Sequence, residues 1–221
     1  MKDDSFVPLP YISPNEETLL QQSSSFYQSI NQRRSVRHFS KQAVPREVIE
    51  NIVLAASTAP SGAHKQPWTF CAVSNPEIKA AIRKAAEEEE YLNYTKRMSE
   101  QWLKDLEPFG TAWEKPMLTD APWLIVVYRK AFDLVEGEKM KNYYINESVG
   151  IACGMLLTAI HETGLVALTH TPSPMQFLCA ILNRPSNEKA YLLIPVGYPV
   201  KNCQVPNIKR KELNEIAQFY E

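Results

Sequence analysis

Residues 33–37 read RRSVR, which sets three guanidiniums and a hydroxyl inside five positions. If this stretch is extended, Arg33, Ser35 and Arg37 point to one side, because successive side chains alternate across a strand. Guanidinium forks match phosphate geometry and bond it bidentately, so the pattern suits an anion. A solvated basic turn would use the same residues. Further along, TAPSGAHKQPWTF at 58–70 combines Pro60, which stiffens a turn, with Gly62, which permits close backbone approach. An ordinary turn accounts for it equally well. The third grouping is EEEE at 87–90 followed by Tyr94. Glu87 and Glu88 read as a solvated helix face, with Arg83 and Lys84 one turn earlier to pair with them. Glu90 and Tyr94, four residues apart, share a helix face.

Other chemistries lack their motifs. Seven glycines form neither GxGxxG nor GxxxxGK[ST], so no dinucleotide-binding Rossmann turn and no P-loop is written here. His161-Glu162 begins like a zinc helix, but Leu165 stands where HExxH needs its second histidine. The four histidines show no ligand spacing, so no metal site is expected, and there is no GxSxG elbow. With 24 basic against 25 acidic residues there is no nucleic-acid or membrane-surface footprint. The longest apolar run, VGIACGMLLTAI at 149–160, is too short for a bilayer, which takes about 17–25 residues. The acidic, proline-bearing start is no signal peptide. Cys71, Cys153, Cys179 and Cys203 form no CxxC pair and suit a reduced, buried role. These features describe a soluble, cytoplasmic protein.

At 221 residues and 44% hydrophobic content, the chain has enough apolar mass for one domain. Residues 1–20 read as an extended N-terminal arm and 21–32 as a helix leading into RRSVR. REVIENIVLAAST places Val48, Ile49, Ile52, Val53 and Ala56 at helical spacing. WTFCAV is a strand, and Asn75-Pro76 opens the next helix. Residues 91–115, aromatic and charged, read as a lid of one or two helices, with Tyr91, Trp102 and Trp113 as its apolar cover. PWLIVVYR, LVALT (165–169) and KAYLLIPVGY are strands, NESVGIACGMLLTAIHETG is a long helix, and 205–221 is a C-terminal arm. Helices and strands without regular alternation point to α+β.

RRSVR followed by a helix and TAPSGAHKQPWTF, then EEEEYLNYTKRM, THTP, EKAYLLIPVGYP and VPNIKRK in that order, resembles the flavin-dependent nitroreductase superfamily. More closely, it resembles the iodotyrosine deiodinase branch. The resemblance implies a single FMN domain over 1–221, a mixed sheet surrounded by helices, and an intertwined homodimer with flavin sites between subunits. It places Arg33, Arg34, Ser35, Arg37 and Arg210 around the FMN phosphate, ribityl chain and pyrimidine edge. Pro60, Ser61 and Gly62 would lie against the flavin from the other subunit. Thr169, His170 and Thr171 would pass the ring's reactive edge, with the Thr171 hydroxyl near N5 as the catalytic contact. In animal relatives position 170 is usually threonine, and His170 is expected to touch the flavin through backbone alone. Glu90, Tyr94 and Lys115 would hold the zwitterion of a halotyrosine, and the Ala63 N–H its phenolate. The implied reaction is reductive dehalogenation of mono- and diiodotyrosine, with NAD(P)H as electron donor, directly or through a reductase. A general nitro- or quinone reductase would explain RRSVR and PSGA but not Glu90, Tyr94 and Lys115. A non-enzymatic flavin-binding protein is the other alternative.

Overall fold

The computed structural model describes residues 6–221, so the first five residues of the expected arm lie outside the described residues. Contacts divide the chain at Arg33, giving one unit that ends there and a second running Arg34–Glu221. The first unit holds helix α1 (Glu16–Asn31), which starts five residues before the expected helix. Asn15 explains this: its side chain accepts the Thr18 N–H at 2.8 Å, and Glu16 and Glu17 complement the helix dipole.

In chain order the second unit has α2 (Arg46–Ser57), β1 (Trp68–Val73), α3 (Pro76–Leu92), α4 (Glu100–Leu106) and α5 (Met117–Asp120). Then come β2 (Trp123–Lys130), β3 (Phe132–Val135), β4 (Glu138–Lys141) and α6 (Ile145–Glu162). The chain ends with β5 (Val166–Ala167), α7 (Gln176–Ile181), β6 (Glu188–Gly197) and α8 (Leu213–Ile216). The expected α+β class holds. The sheet is not the mixed one expected, because every strand pair in the order β1-β2-β6-β5 is antiparallel. Among the described residues its one parallel contact is the bridge from Ser35 to Ala167.

β2 is central and covered on both faces, which is why WLIVV reads as a continuous apolar run instead of alternating. Ile125 and Val127 pack with Ile194 and Val196 against α2 and α6. Leu124, Val126 and Tyr128 face the other way, with Leu193, against Ile82 and Ala86 of α3 and Leu178 of α7. Each fully buried aliphatic side chain contributes about 1.5–3 kcal/mol, so the sheet is the rigid floor for α3.

LVALT pairs regularly only at Val166–Ala167, because the chain then leaves the ladder and rejoins β6 at a single bridge, His170 to Leu193. The β3–β4 hairpin was not foreseen. Its turn, Glu136-Gly137, has φ of 52° and 88°, the left-handed pair that two-residue hairpins use. Of the four thiols only Cys153 is buried, so the expected burial of the other three is corrected.

Candidate functional site

Val36 is 4% exposed, and its N–H donates to Ala167 O at 3.0 Å. That anchor keeps the segment extended, and alternation turns Ser35 and Arg37 away from the core. Both line a pocket of about 240 Å³, walled by Phe109 and Thr111 of the lid segment, by Pro116 just after it, and by Pro206. The Arg37 guanidinium lies 5.6 Å from the Phe109 ring centre. Burial pulls it below its ordinary pKa, and the nearby Tyr94 phenol works against that shift. Arg34 donates instead to Pro206 O. Arg33 belongs to the first unit, where its N–H closes the last turn of α1 on Ile30 O at 3.1 Å. Arg210 is exposed and does not line the pocket.

The turn at Pro60–Ala63 is strained. Ala63, His64 and Gln66 have φ of 49°, 55° and 46°, a region that costs side-chain-bearing residues about 1–3 kcal/mol each. Ser61 Oγ accepts the Gln66 N–H at 2.9 Å. The His64 and Lys65 N–H groups bond Ser61 O and Gly62 O, so the Ala63 N–H is outside both turn bonds. Gly62 is required by close approach: a Cβ there would sit 2.9 Å from Tyr144 Cδ2 and 3.1 Å from Tyr143 O. Among the described residues no hydrogen bond or ion pair joins this turn to Ser35, Arg37 or Thr169–Thr171.

His170 donates its N–H to Leu193 O at 2.9 Å and accepts the Leu193 N–H at 3.0 Å. This reciprocal pair leaves Thr169 and Thr171 exposed on either side, while the His170 ring turns inward. Its Nε2 is sealed from solvent without a partner. Burial, and then the Lys115 charge, hold the ring's pKa down at about 3. The side chain therefore takes part in the electrostatics of Lys115, which backbone contact alone did not anticipate.

Glu90, Tyr94 and Lys115 do come together. α3 passes at Leu92 into a π-helical turn over Asn93–Arg97, which carries Tyr94. Glu90 Oε2 lies 3.0 Å from Lys115 Nζ, with side chains only 7% and 4% exposed. Lys115 Nζ also bonds Ala112 O and, at 3.4 Å, Thr111 Oγ1, and stands 5.2 Å from the Tyr94 ring centre. Such a pair persists in a dry site only because each charge compensates the other. A ligand bearing both an ammonium and a carboxylate could take over both partners at once.

Two expectations about this region need correction. Glu87 is no solvated surface charge, since its Oε1 accepts from Arg83 Nε at 2.8 Å and from the Lys115 N–H at 2.7 Å. Trp102 is 54% exposed, so it is no closed cover in the single chain. Trp113 instead meets Tyr91 edge-on, with ring centres 5.6 Å apart. The glutamate run hid the difference between Glu87 and its neighbours. Only the stripe Arg83, Glu87, Glu90, on the face that also carries Ile82 and Ala86 into the core, distinguishes it.

The family model for the nitroreductase family matches residues 30–198. The chain is 58% identical to the iodotyrosine deiodinase of Haliscomenobacter hydrossis, covering 98% of both chains. It is 50% identical to the Hydra vulgaris iodotyrosine deiodinase over 96% of this chain and 79% of that protein. For iodotyrosine deiodinase 1 of Homo sapiens the figures are 45%, 95% and 73%. A crystal structure of oxidized iodotyrosine deiodinase bound to FMN and 3-iodo-L-tyrosine superposes with a TM-score of 0.75 at 29% identity. That match covers 88% of this chain and 100% of the other.

Proposed function

The chain belongs to the nitroreductase family, in its iodotyrosine deiodinase branch, and from that premise we propose that it reductively dehalogenates halotyrosines with FMN. Mono- and diiodotyrosine are its substrates, and tyrosine and iodide its products. The observation that carries this reading is the buried Glu90–Lys115 pair beside Tyr94. A reductase of uncharged nitroaromatics or quinones has no use for two opposed charges sealed under a lid.

The residues fit the flavin. Ser35 and Arg37 present a hydroxyl and a guanidinium to one pocket, the donor set a phosphate takes up bidentately. In this reading Arg34 and Arg210 complete the phosphate end, while Pro60, Ser61 and Gly62 reach the flavin of a second copy. Thr169, His170 and Thr171 would hold the flavin ring, with the Thr171 hydroxyl as its hydrogen-bond partner. Bound FMN, once reduced, supplies the two electrons that let a proton replace iodine on the ring carbon as iodide leaves.

The remaining work falls to the chain. Glu90 accepts the substrate ammonium, Lys115 takes its carboxylate, and Tyr94 bridges them. The Ala63 N–H donates to the phenolate, which favours the ionised ring. The lid over 91–115 excludes water. A homodimer is supported by the large apolar side chains left exposed, among them Ile151 on α6 and Ile216 and Phe219 near the C-terminus. NAD(P)H is the proposed electron source.

The deciding experiment loads purified protein with FMN, reduces it anaerobically and adds 3-iodotyrosine. One tyrosine and one iodide should appear per two electrons consumed. Reduction of a nitroaromatic without iodide release from 3-iodotyrosine would overturn the reading in favour of a general reductase.

A further inference from the structure

Four side chains on one face of α3 grip the segment that leads out of the lid. Lys79, Arg83, Glu87 and Glu90 follow at helical intervals, so they stack along one stripe. Lys79 Nζ donates to Ala121 O at 2.7 Å and to Thr119 O at 3.3 Å. Arg83 Nη1 donates to Thr119 Oγ1 at 2.9 Å. Glu87 Oε1 accepts the Lys115 N–H at 2.7 Å, and Glu90 Oε2 meets Lys115 Nζ at 3.0 Å.

Lys115 is therefore held twice by the same helix, at its backbone by Glu87 and at its ammonium by Glu90. The two holds respond differently to a ligand. A bound amino acid competes for the ammonium, because its carboxylate is a new partner for Nζ. It does not compete for the backbone N–H. The Arg83 guanidinium, 2.8 Å from the same Glu87 oxygen, fixes that carboxylate in turn. An exposed i,i+4 pair contributes little by itself. Here Lys115 is buried, and removing the acceptor leaves its N–H unsatisfied.

We propose that Glu87 is a positioning residue for amino-acid recognition. By clamping the Lys115 backbone, it keeps the ammonium in place while that group exchanges Glu90 for the substrate carboxylate. The inference rests on the deiodinase reading above and assigns to that site a residue that does not touch the ligand.

The test uses FMN-loaded protein with two probes, 3-iodotyrosine and 2-iodophenol, which lacks the amino-acid group. Glu87→Ala should raise Kd and KM for 3-iodotyrosine about tenfold, as expected for a lost charge-assisted hydrogen bond. Affinity for 2-iodophenol and kcat at saturating 3-iodotyrosine should stay within about twofold of wild type, by the same split. Glu87→Gln keeps an oxygen that can accept the Lys115 N–H and should recover most of the loss. Wild-type 3-iodotyrosine affinity in Glu87→Ala overturns the proposal. So does equal weakening of both probes, or a Glu87→Gln defect as large as that of Glu87→Ala. If Glu87→Ala does not retain FMN, Arg83→Gln takes its place. It must weaken 3-iodotyrosine more than 2-iodophenol, and equal effects overturn the clamp. Wild-type protein that binds no 3-iodotyrosine would instead overturn the deiodinase reading.

Discussion

At the scale of the residue, Glu90 and Lys115 illustrate how a ligand site can be kept ready in a dry environment. Each charge is stabilised by the other at 3.0 Å, and the site changes partners rather than creating bare charge when a zwitterion arrives. Truncating one member leaves its partner buried and unpaired. Glu90→Gln and Lys115→Ala should each weaken 3-iodotyrosine binding about tenfold or more, measured by flavin absorbance titration. Binding of 2-iodophenol should change much less, and equal losses on both would mean that the pair only secures the lid. Arg37 belongs to the other end of the site. Half-buried in the pocket beside Ser35, it should contribute one or two charge-assisted bonds to phosphate, about 1.5–3 kcal/mol each. Arg37→Ala should accordingly loosen FMN about 10- to 100-fold by fluorescence titration. Unchanged FMN affinity would return this arginine to its stacking role on Phe109.

At the scale of the element, α3 is the fixed part and the lid the adjustable one. Ile82 and Ala86 bury one side of α3 against β2 and β6, while the stripe from Lys79 to Glu90 holds Lys115–Ala121. The ties of the lid between them include Arg97 to Glu89 at 2.7 Å and the Tyr91–Trp113 edge contact, both at partly exposed side chains. Hydrogen exchange on FMN-loaded protein should show 99–114 opening readily without ligand and gaining protection with 3-iodotyrosine. Residues 115–121 should be protected throughout. Full protection of 99–114 before ligand is added would count against a closing lid. Much of this frame was legible in the sequence. Asn75-Pro76 announced the start of α3, and PWLIVVYR announced the strand β2, whose central place only the structure shows. The early start of α1 was written in Asn15-Glu16-Glu17 but was overshadowed by the prolines before it. The Arg83 partner of Glu87 was legible as an i,i+4 pair, but its second partner, the Lys115 N–H, and the inward turn of His170 were not. Both are set by tertiary contacts, an α3 oxygen meeting a backbone N–H 28 residues later and a bridge to Leu193. No local pattern records such meetings.

At the scale of the whole molecule, the site leaves a mark on stability through the His170 ring. Its pKa in the fold, about 3, lies below the ordinary histidine value of about 6.5. Between those values the unfolded chain binds a proton that the folded chain excludes. Stability therefore falls as pH drops from about 6.5 towards 3, by at most about 1.4 kcal/mol per pH unit. Burial is the main reason the fold excludes the proton, and the Lys115 charge adds to it. Glu90 is engaged by the Lys115 ammonium at 3.0 Å. Glu188 acts in a lower window. Burial opposes its ionisation, but Arg184 at 2.7 Å and Thr69 at 2.6 Å together bring its pKa below the ordinary glutamate value. Its contribution is complete above that ordinary value, about 4.3, and is lost only as pH falls through the depressed one. The two groups are thus separable by pH. Melting temperatures of wild type and His170→Thr, measured from pH 7 to pH 5, should show a steep decline in wild type and a flatter one in the variant. Below about pH 4.3 both curves should steepen as Glu188 begins to protonate, while wild type keeps its additional His170 decline down to about pH 3. Identical slopes between pH 7 and pH 5 would mean that the His170 ring accepts its proton in the folded protein despite its burial and the Lys115 charge.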